Sequence, residues 1–268
     1  MSDGFGLSGT GVLRDVVRPV PNAGATPIER LILVSSSGEG RGAPDKRAEL
    51  IAAGAHPRPT IVRPAREDDV LALTKASDLV LVERRKPLPF IVPYLDRAAR
   101  GLLRKSAAPL LVVAGIPQSP YERVLVATDL QTDITGALAA VKAIAPNAAV
   151  TLLHVYRALF DGKLQWAGVP EADIAPHRVD AQREAARGMA ALLDRHSAIN
   201  PARTLVRYGW PVPGVLRTLA ELDADLIVVV RNTQSWWADV LGASVSHDLA
   251  QRADRDVLVV RAPVSRAG

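Results

Sequence analysis

Glu122-Arg-Val-Leu-Val-Ala-Thr-Asp-Leu130 echoes Glu29-Arg-Leu-Ile-Leu-Val-Ser-Ser-Ser37, which lies 93 residues earlier. Two more blocks repeat at an offset of 147. Ser77-Asp-Leu-Val-Leu-Val82 matches Ala224-Asp-Leu-Ile-Val-Val229, and Ala108-Pro-Leu-Leu-Val-Val113 matches Arg255-Asp-Val-Leu-Val-Val260. The three blocks keep the same order in both copies, so the chain reads as an internal duplication. The step from 93 to 147 means that the first copy lacks about 54 residues between its first and second matched blocks.

Each block is a short run of Val, Leu and Ile. Such runs predict strands buried on both faces. Helical patterns lie between them. Thr135–Ile144 has apolar residues at helical spacing and is closed by Pro146 and Asn147. Ala185, Met189, Leu192 and Leu193 mark one face of a helix over about 180–196. With further strands at Val150–Val155, Thr204–Arg207, Leu226–Val230 and Val257–Val260, and helices after Pro213 and around Ser244–Arg252, the second copy alternates strand and helix throughout. That alternation predicts an α/β layered fold with a parallel sheet. The first copy retains strands at Leu31–Val34, Thr60–Arg63, Leu79–Val82 and Leu110–Val113. Short helices are expected near Lys46–Ala53 and Asp68–Lys75. Thr60–Arg63 matches Thr204–Arg207, so one strand and one long helix are missing. Gly115-Ile-Pro-Gln-Ser-Pro-Tyr121 has the turn residues of a linker. The expected division is a tail over 1–26, either loose or laid over the first copy, a reduced domain over 27–117 and a complete one over 118–264.

Composition narrows the classes of function. The 268 residues carry no Cys, which removes disulfides, thiol nucleophiles, Cys-ligated zinc and iron–sulfur clusters. No apolar run reaches the length of about 18–20 residues that a membrane helix needs, and the first ten residues lack the basic and apolar regions of a secretory signal. A cytoplasmic protein is expected. The net charge of +5 would suit an anionic partner, but the Arg residues are interspersed with acids and aromatics are only 4%. That composition argues against a nucleic-acid stacking platform. Arg84-Arg85-Lys86 is the one tight basic cluster. The five His residues show no i, i+4 pair, so no helical metal face is expected. His154, inside an apolar strand, reads as a hydrogen-bonded core residue. His247 reads as a solvated helix position. There is no Gly-x-Ser-x-Gly and no Walker loop.

The second copy resembles a universal stress protein domain along its whole length. The matching stretches are Arg123-Val-Leu-Val-Ala-Thr-Asp129, Thr151-Leu-Leu-His-Val-Tyr156, Val206-Arg-Tyr-Gly-Trp-Pro211, Ala224-Asp-Leu-Ile-Val-Val229 and Asp256-Val-Leu-Val-Val260. The first copy resembles a truncated version. The resemblance implies two tandem doubly wound parallel-sheet domains of the adenine nucleotide α-hydrolase-like kind, the first truncated. It also implies a stress-response role and dimer-like pairing of the terminal strands, which the two copies could make within one chain.

In the nucleotide-binding branch of that family the fourth strand ends in Gly-x-x-Gly-x9-Gly-[Ser/Thr]. Glycines there let backbone N–H groups approach phosphates at a helix N-terminus. The matching positions are Val230, Thr233, Ala243 and Ser244 in the second copy, and Glu83, Lys86, Asp96 and Arg97 in the first. Only Ser244 fits, and Arg231 is a further candidate for an anion. Gly242 lies one place out of register. On the base side, the resemblance gives Asp129 and Val155 as the residues that would meet an adenosine. Asp129 has a second reading as a turn or cap residue. Trp236 and Trp237 lie in the same loop. They either pack over the local edge or roof the space a nucleotide takes in relatives. Asp161–Pro176, with Trp166, resembles a variable connection of dimer or lid type.

The resulting expectation is a non-enzymatic stress-response protein with a degenerate nucleotide-binding motif. It would act through an unidentified protein partner or through self-association, as intramolecular domain pairing and homodimer formation. No cofactor is expected in this reading. The alternative is a stress sensor holding ATP or AMP in the second domain alone.

Overall fold

A computed structural model of the chain describes residues 11–12, 28–34, 42–55, 57–64, 69–84, 95–158, 167–196, 201–231 and 245–262. Thr233, Trp166, Trp236, Trp237, Ser244, Lys86 and Ser36 lie outside them. Ten strands form one sheet: β1 (Gly11–Val12), β2 (Arg30–Val34), β3 (Thr60–Val62), β4 (Asp78–Glu83), β5 (Leu110–Val113), β6 (Arg123–Ala127), β7 (Ala149–Tyr156), β8 (Arg203–Tyr208), β9 (Leu226–Arg231) and β10 (Asp256–Arg261). Their order is β1-β8-β7-β6-β9-β10-β5-β4-β2-β3. All neighbours run parallel except β1 with β8 and β5 with β10.

The helices are α1 (Ala43–Gly54), α2 (Val70–Leu73), α3 (Arg97–Lys105), α4 (Thr135–Ile144), α5 (Glu171–Arg195), α6 (Pro211–Glu221) and α7 (Val245–Arg252). One face of the sheet is covered by α1, α4 and α5, through Ile51, Val141, Met189 and Leu192. The other is covered by α2, α3, α6 and α7, through Val70, Leu102, Val215 and Leu249. This is the doubly wound arrangement. With helices on both faces, both sides of each strand are buried, which explains runs such as Leu79-Val-Leu-Val82. Each fully buried Leu, Ile or Val contributes roughly 1.5–3 kcal/mol.

Both apolar layers run unbroken from the β2–β5 set into the β6–β10 set. The joint is the antiparallel pair β5–β10, with Leu111 opposite Leu258 and Val112 opposite Val257. The pairing of terminal strands expected from the family resemblance is thus made inside one chain.

Four features depart from the sequence reading. Helix α5 begins at Glu171, within the stretch 161–176 that resembled a variable connection, and contains Pro176 near its start. Although Thr60–Arg63 matches Thr204–Arg207, β3 hydrogen-bonds directly to β2, whereas β8 is separated from β6 by β7. Among the described residues between β2 and β3, α1 is the one helix or strand, so β3 is the next strand available and fills the place beside β2. Helix α3 was not expected. Its sequence Arg97-Ala-Ala-Arg-Gly-Leu-Leu-Arg-Lys105 hides a narrow apolar stripe of Ala99, Leu102 and Leu103 among basic residues. Asp96 caps it, its Oδ1 accepting from Ala99 N at 2.8 Å. Finally, Gly11–Val12 borders β8, at the far end of the sheet from β2–β5, whereas the sequence reading had the tail either loose or laid over the first copy.

Two arginines at matched positions, Arg84 and Arg231, cross the joint in opposite directions. Arg84 follows β4, and its Nη1 donates to Ala253 O, just beyond α7. Arg231 ends β9, and its Nη1 donates to Leu103 O in the last turn of α3 at 2.7 Å. Each places a cation at the negative end of a helix belonging to the opposite strand set.

Candidate functional site

The carboxyl ends of β6, β7 and β9 meet where the strand order reverses, the usual place for a site in a doubly wound sheet. Beyond β6 the chain turns at Thr128-Asp129-Leu130. Asp129 Oδ1 accepts from Gln131 N at 3.1 Å and Thr132 N at 2.8 Å, and its Oδ2 accepts from Thr132 Oγ1 at 2.8 Å. Leu130 stands at φ 66°, a left-handed conformation costing a non-glycine residue about 1–2 kcal/mol. The turn is held by its surroundings. Leu130 N donates to Thr128 Oγ1 at 3.0 Å, and Arg195 Nη2 donates to Leu130 O at 2.7 Å. On α5, Gly188 lies close against Leu130: a Cβ there would come within 2.8 Å of Leu130 Cδ1, and the Leu130 side chain would have to shift. His154 Nδ1 lies 2.8 Å from Thr128 O and donates to it. Burial, the main cause, lowers the His154 pKa and keeps the ring neutral. The core reading of His154 therefore stands.

Beside this turn is a cavity of about 500 Å³ under α5, lined by Asp129, His154, Tyr156, Arg157, Glu184 and Arg195 among others. At the same end of the sheet, the Arg157 guanidinium stacks 3.5 Å from the ring centroid of Trp210. Trp210 is 47% exposed and Tyr208 44%. Tyr156 meets Tyr208 edge-on at 5.8 Å. Gly209, at φ 147°, gives the chain the turn that separates β8 from α6 and leaves these rings outward.

The proposed nucleotide residues are only partly brought together. Asp129 and Val155 are on neighbouring strands, but the Val155 side chain is fully buried on the α6 side, where it packs against Gly214. Val230 is a strand residue packed on the core. Arg231 reaches α3 across the joint, away from the Asp129 turn. Its pKa is lowered, first by burial and then by the Arg261 charge. In the first copy, Glu83 ends β4 and Asp96 is a helix cap. Of the β9-end candidates, Val230 and Arg231 alone fall among the described residues. Thr233, Ser244, Trp236 and Trp237 lie outside the described residues. Among those residues no group of three or more His, Asp or Glu side chains is placed to hold a metal ion. Leu130, Arg157, Gly188, Arg195 and Trp210 were not anticipated from sequence. Only Trp210 gave a signal, as the residue inside Gly209-Trp-Pro211.

The family model described as the universal stress protein family matches residues 120–261. The chain belongs to the universal stress protein family. Solved structures extend the likeness beyond the matched segment. A functionally unknown protein from Pseudomonas aeruginosa PAO1 superposes with a TM-score of 0.61 at 16% identity, over 89% of this chain and 94% of that one. A universal stress protein from Archaeoglobus fulgidus DSM 4304 superposes with a TM-score of 0.56 at 13% identity, over 90% of this chain and 99% of that one. At these identities the likeness is one of fold, and it covers both strand sets. No curated protein matches the sequence. Among the described residues of this universal stress protein, no helix is long and apolar enough to cross a membrane.

Proposed function

We propose that this universal stress protein acts as a non-enzymatic binding protein in the cytoplasm, built from a reduced unit over 27–117 and a complete unit over 118–264. It would engage a protein partner or a second copy of itself, with no cofactor. The observation that carries this reading is the use of Arg231. Arg231, the cation at the end of β9 among the described residues, donates to Leu103 O across the joint instead of facing the Asp129 turn. Val230 at the preceding position, a strand residue where relatives carry a flexible glycine, supports the same reading. The outward rings of Tyr208 and Trp210, braced by Arg157 and Arg178, offer the sort of aromatic and arginine surface that interfaces favour.

A second reading, ATP or AMP held by the second unit, draws on one observation: Asp129 lies at the strand ends beside a cavity of about 500 Å³. Titration calorimetry of the full chain with ATP, ADP and AMP, with and without Mg²⁺, separates the two. No binding in the micromolar range is expected. Micromolar binding that disappears in Asp129→Ala would overturn the first reading.

A further inference from the structure

A second cavity, of about 650 Å³, lies at the joint between the strand sets, by the amino ends of β6, β9 and β10, whereas the Asp129 turn follows the carboxyl end of β6. Its walls include Arg47, Arg84, Arg252 and Arg255, with Asp225, Asp254 and Asp256. Most of this charge is already matched. Asp256 accepts from Ala114 N at 2.8 Å, Arg47 Nε at 2.9 Å and Tyr121 OH at 2.6 Å. Asp225 accepts from the backbone N–H groups of Glu122 and Arg123. Arg255 pairs with Asp223 at 3.1 Å and lies 4.0 Å from the largely exposed Asp254.

Arg84 differs. It is 6% exposed, and its guanidinium makes one hydrogen bond, from Nη1 to Ala253 O. Its Nε is buried with no partner. The Nε–Nη2 edge is the fork that grips an oxyanion with two parallel N–H···O bonds. Leaving it empty in a buried site is costly. Arg252, exposed on the same cavity wall, has no carboxylate within ion-pair distance among the described residues. Two guanidiniums with no carboxylate in hydrogen-bonding contact therefore face one cavity, Asp256 and Asp254 acting on Arg84 through their charge alone, and Arg84 opens the basic cluster Arg84-Arg85-Lys86.

We propose that this joint cavity binds a phosphate-class oxyanion, gripped by the Nε–Nη2 edge of Arg84 and held at the mouth by Arg252. The oxyanion is either inorganic phosphate or the phosphate group of a small monoester. Both present the same tetrahedral dianion to the two cations. This site is separate from the nucleotide positions at the β6 and β9 ends, and its occupancy does not depend on them.

The test is titration calorimetry on the full chain with inorganic phosphate, ribose 5-phosphate and acetate. Phosphate or the ester is expected to bind and acetate is not. Tighter binding of the ester identifies a phosphorylated metabolite as the ligand; equal binding identifies free phosphate. Arg84→Lys keeps the charge but loses the fork and is expected to weaken binding about tenfold or more. Arg252→Ala, on the surface, is expected to weaken it about threefold, and Asp129→Ala to leave it unchanged. Absence of binding by both phosphates, or binding unaltered in both arginine variants, overturns the proposal. If Arg84→Lys does not fold, Arg252→Ala and the acetate comparison decide the matter alone.

Discussion

The two strand sets begin with the same pair of residues and use it differently. In the first, Arg30 forks onto Asp78, Nε to Oδ1 at 2.9 Å and Nη2 to Oδ2 at 2.7 Å. In the second, the matched residues are Arg123 and Asp225. Here Asp225 takes backbone N–H groups of Glu122 and Arg123, while the Arg123 side chain turns to Asp223, whose carboxylate it meets at 2.6 Å. Asp223, at φ 45°, holds its carboxylate and carbonyl towards Arg123. A matched position thus keeps its place in the sheet without keeping its bond. The same holds at the joint. Pro109 in the first set answers to Asp256 in the second, and only Asp256 gathers Arg47, Tyr121 and the Ala114 N–H.

Removing that asymmetry has the largest expected effect. Asp256→Ala takes the carboxylate from the buried Arg47 guanidinium, whose side chain is only 8% exposed, and leaves Ser119 O as its acceptor. A loss of about 3–5 kcal/mol is expected, read as a fall in the urea midpoint. Tyr121 stays protonated: burial first, then the Asp256 charge, raises its pKa well above the usual phenol value. A loss below about 1 kcal/mol would mean that the joint does not rest on this cluster.

Next in size is a matched pair of core truncations. Leu79 on β4 and Leu226 on β9 are both fully buried. Each Leu→Ala change is expected to cost about 2–5 kcal/mol. Because both apolar layers cross the joint, each should lower one shared thermal transition. Two separate transitions in calorimetry, with Leu79→Ala moving only one, would show that the strand sets unfold apart.

The smallest expected effect depends on pH. Burial, the leading cause, raises the Asp225 pKa above its ordinary 3.8. A carboxyl that holds its proton more readily folded than unfolded subtracts stability above its folded pKa. That loss is relieved as pH falls through the folded pKa towards 3.8. Asp133 has the opposite sign. The Thr135 hydroxyl, chiefly, lowers its pKa, so its stabilisation is present above 3.8 and fades as pH falls through the lower folded value. Denaturation curves between pH 3 and 6 should lose the first trend in Asp225→Asn and the second in Asp133→Asn. Unchanged curves would remove both assignments.

The strands were legible because each is a continuous Val, Leu and Ile run buried on two faces. Helix α4 and the 180–195 part of α5 followed from apolar spacing. Helix α3 was hidden because its buried stripe is only three residues wide within a basic stretch. The place of β3 was hidden for another reason: sequence matching compares a strand with its counterpart, whereas the sheet pairs it with whichever neighbour is present. At the candidate site Asp129 was visible as an acid after a strand. The left-handed Leu130 was not, because its conformation is imposed by Thr128, Arg195 and Gly188, all brought in from other parts of the fold or turn. Arg231 looked like an anion ligand in one dimension, and only the joint gives it a different partner.

The β5–β10 joint has a consequence for behaviour on dilution. Two strand ends that meet from separate chains part when the protein is scarce. Here residues 114–122 join β5 to β6 and so tether the two strand sets, and a short tether keeps such partners at an effective concentration on the order of millimolar, whatever the amount of protein in solution. A single molecule therefore carries its own pairing partner.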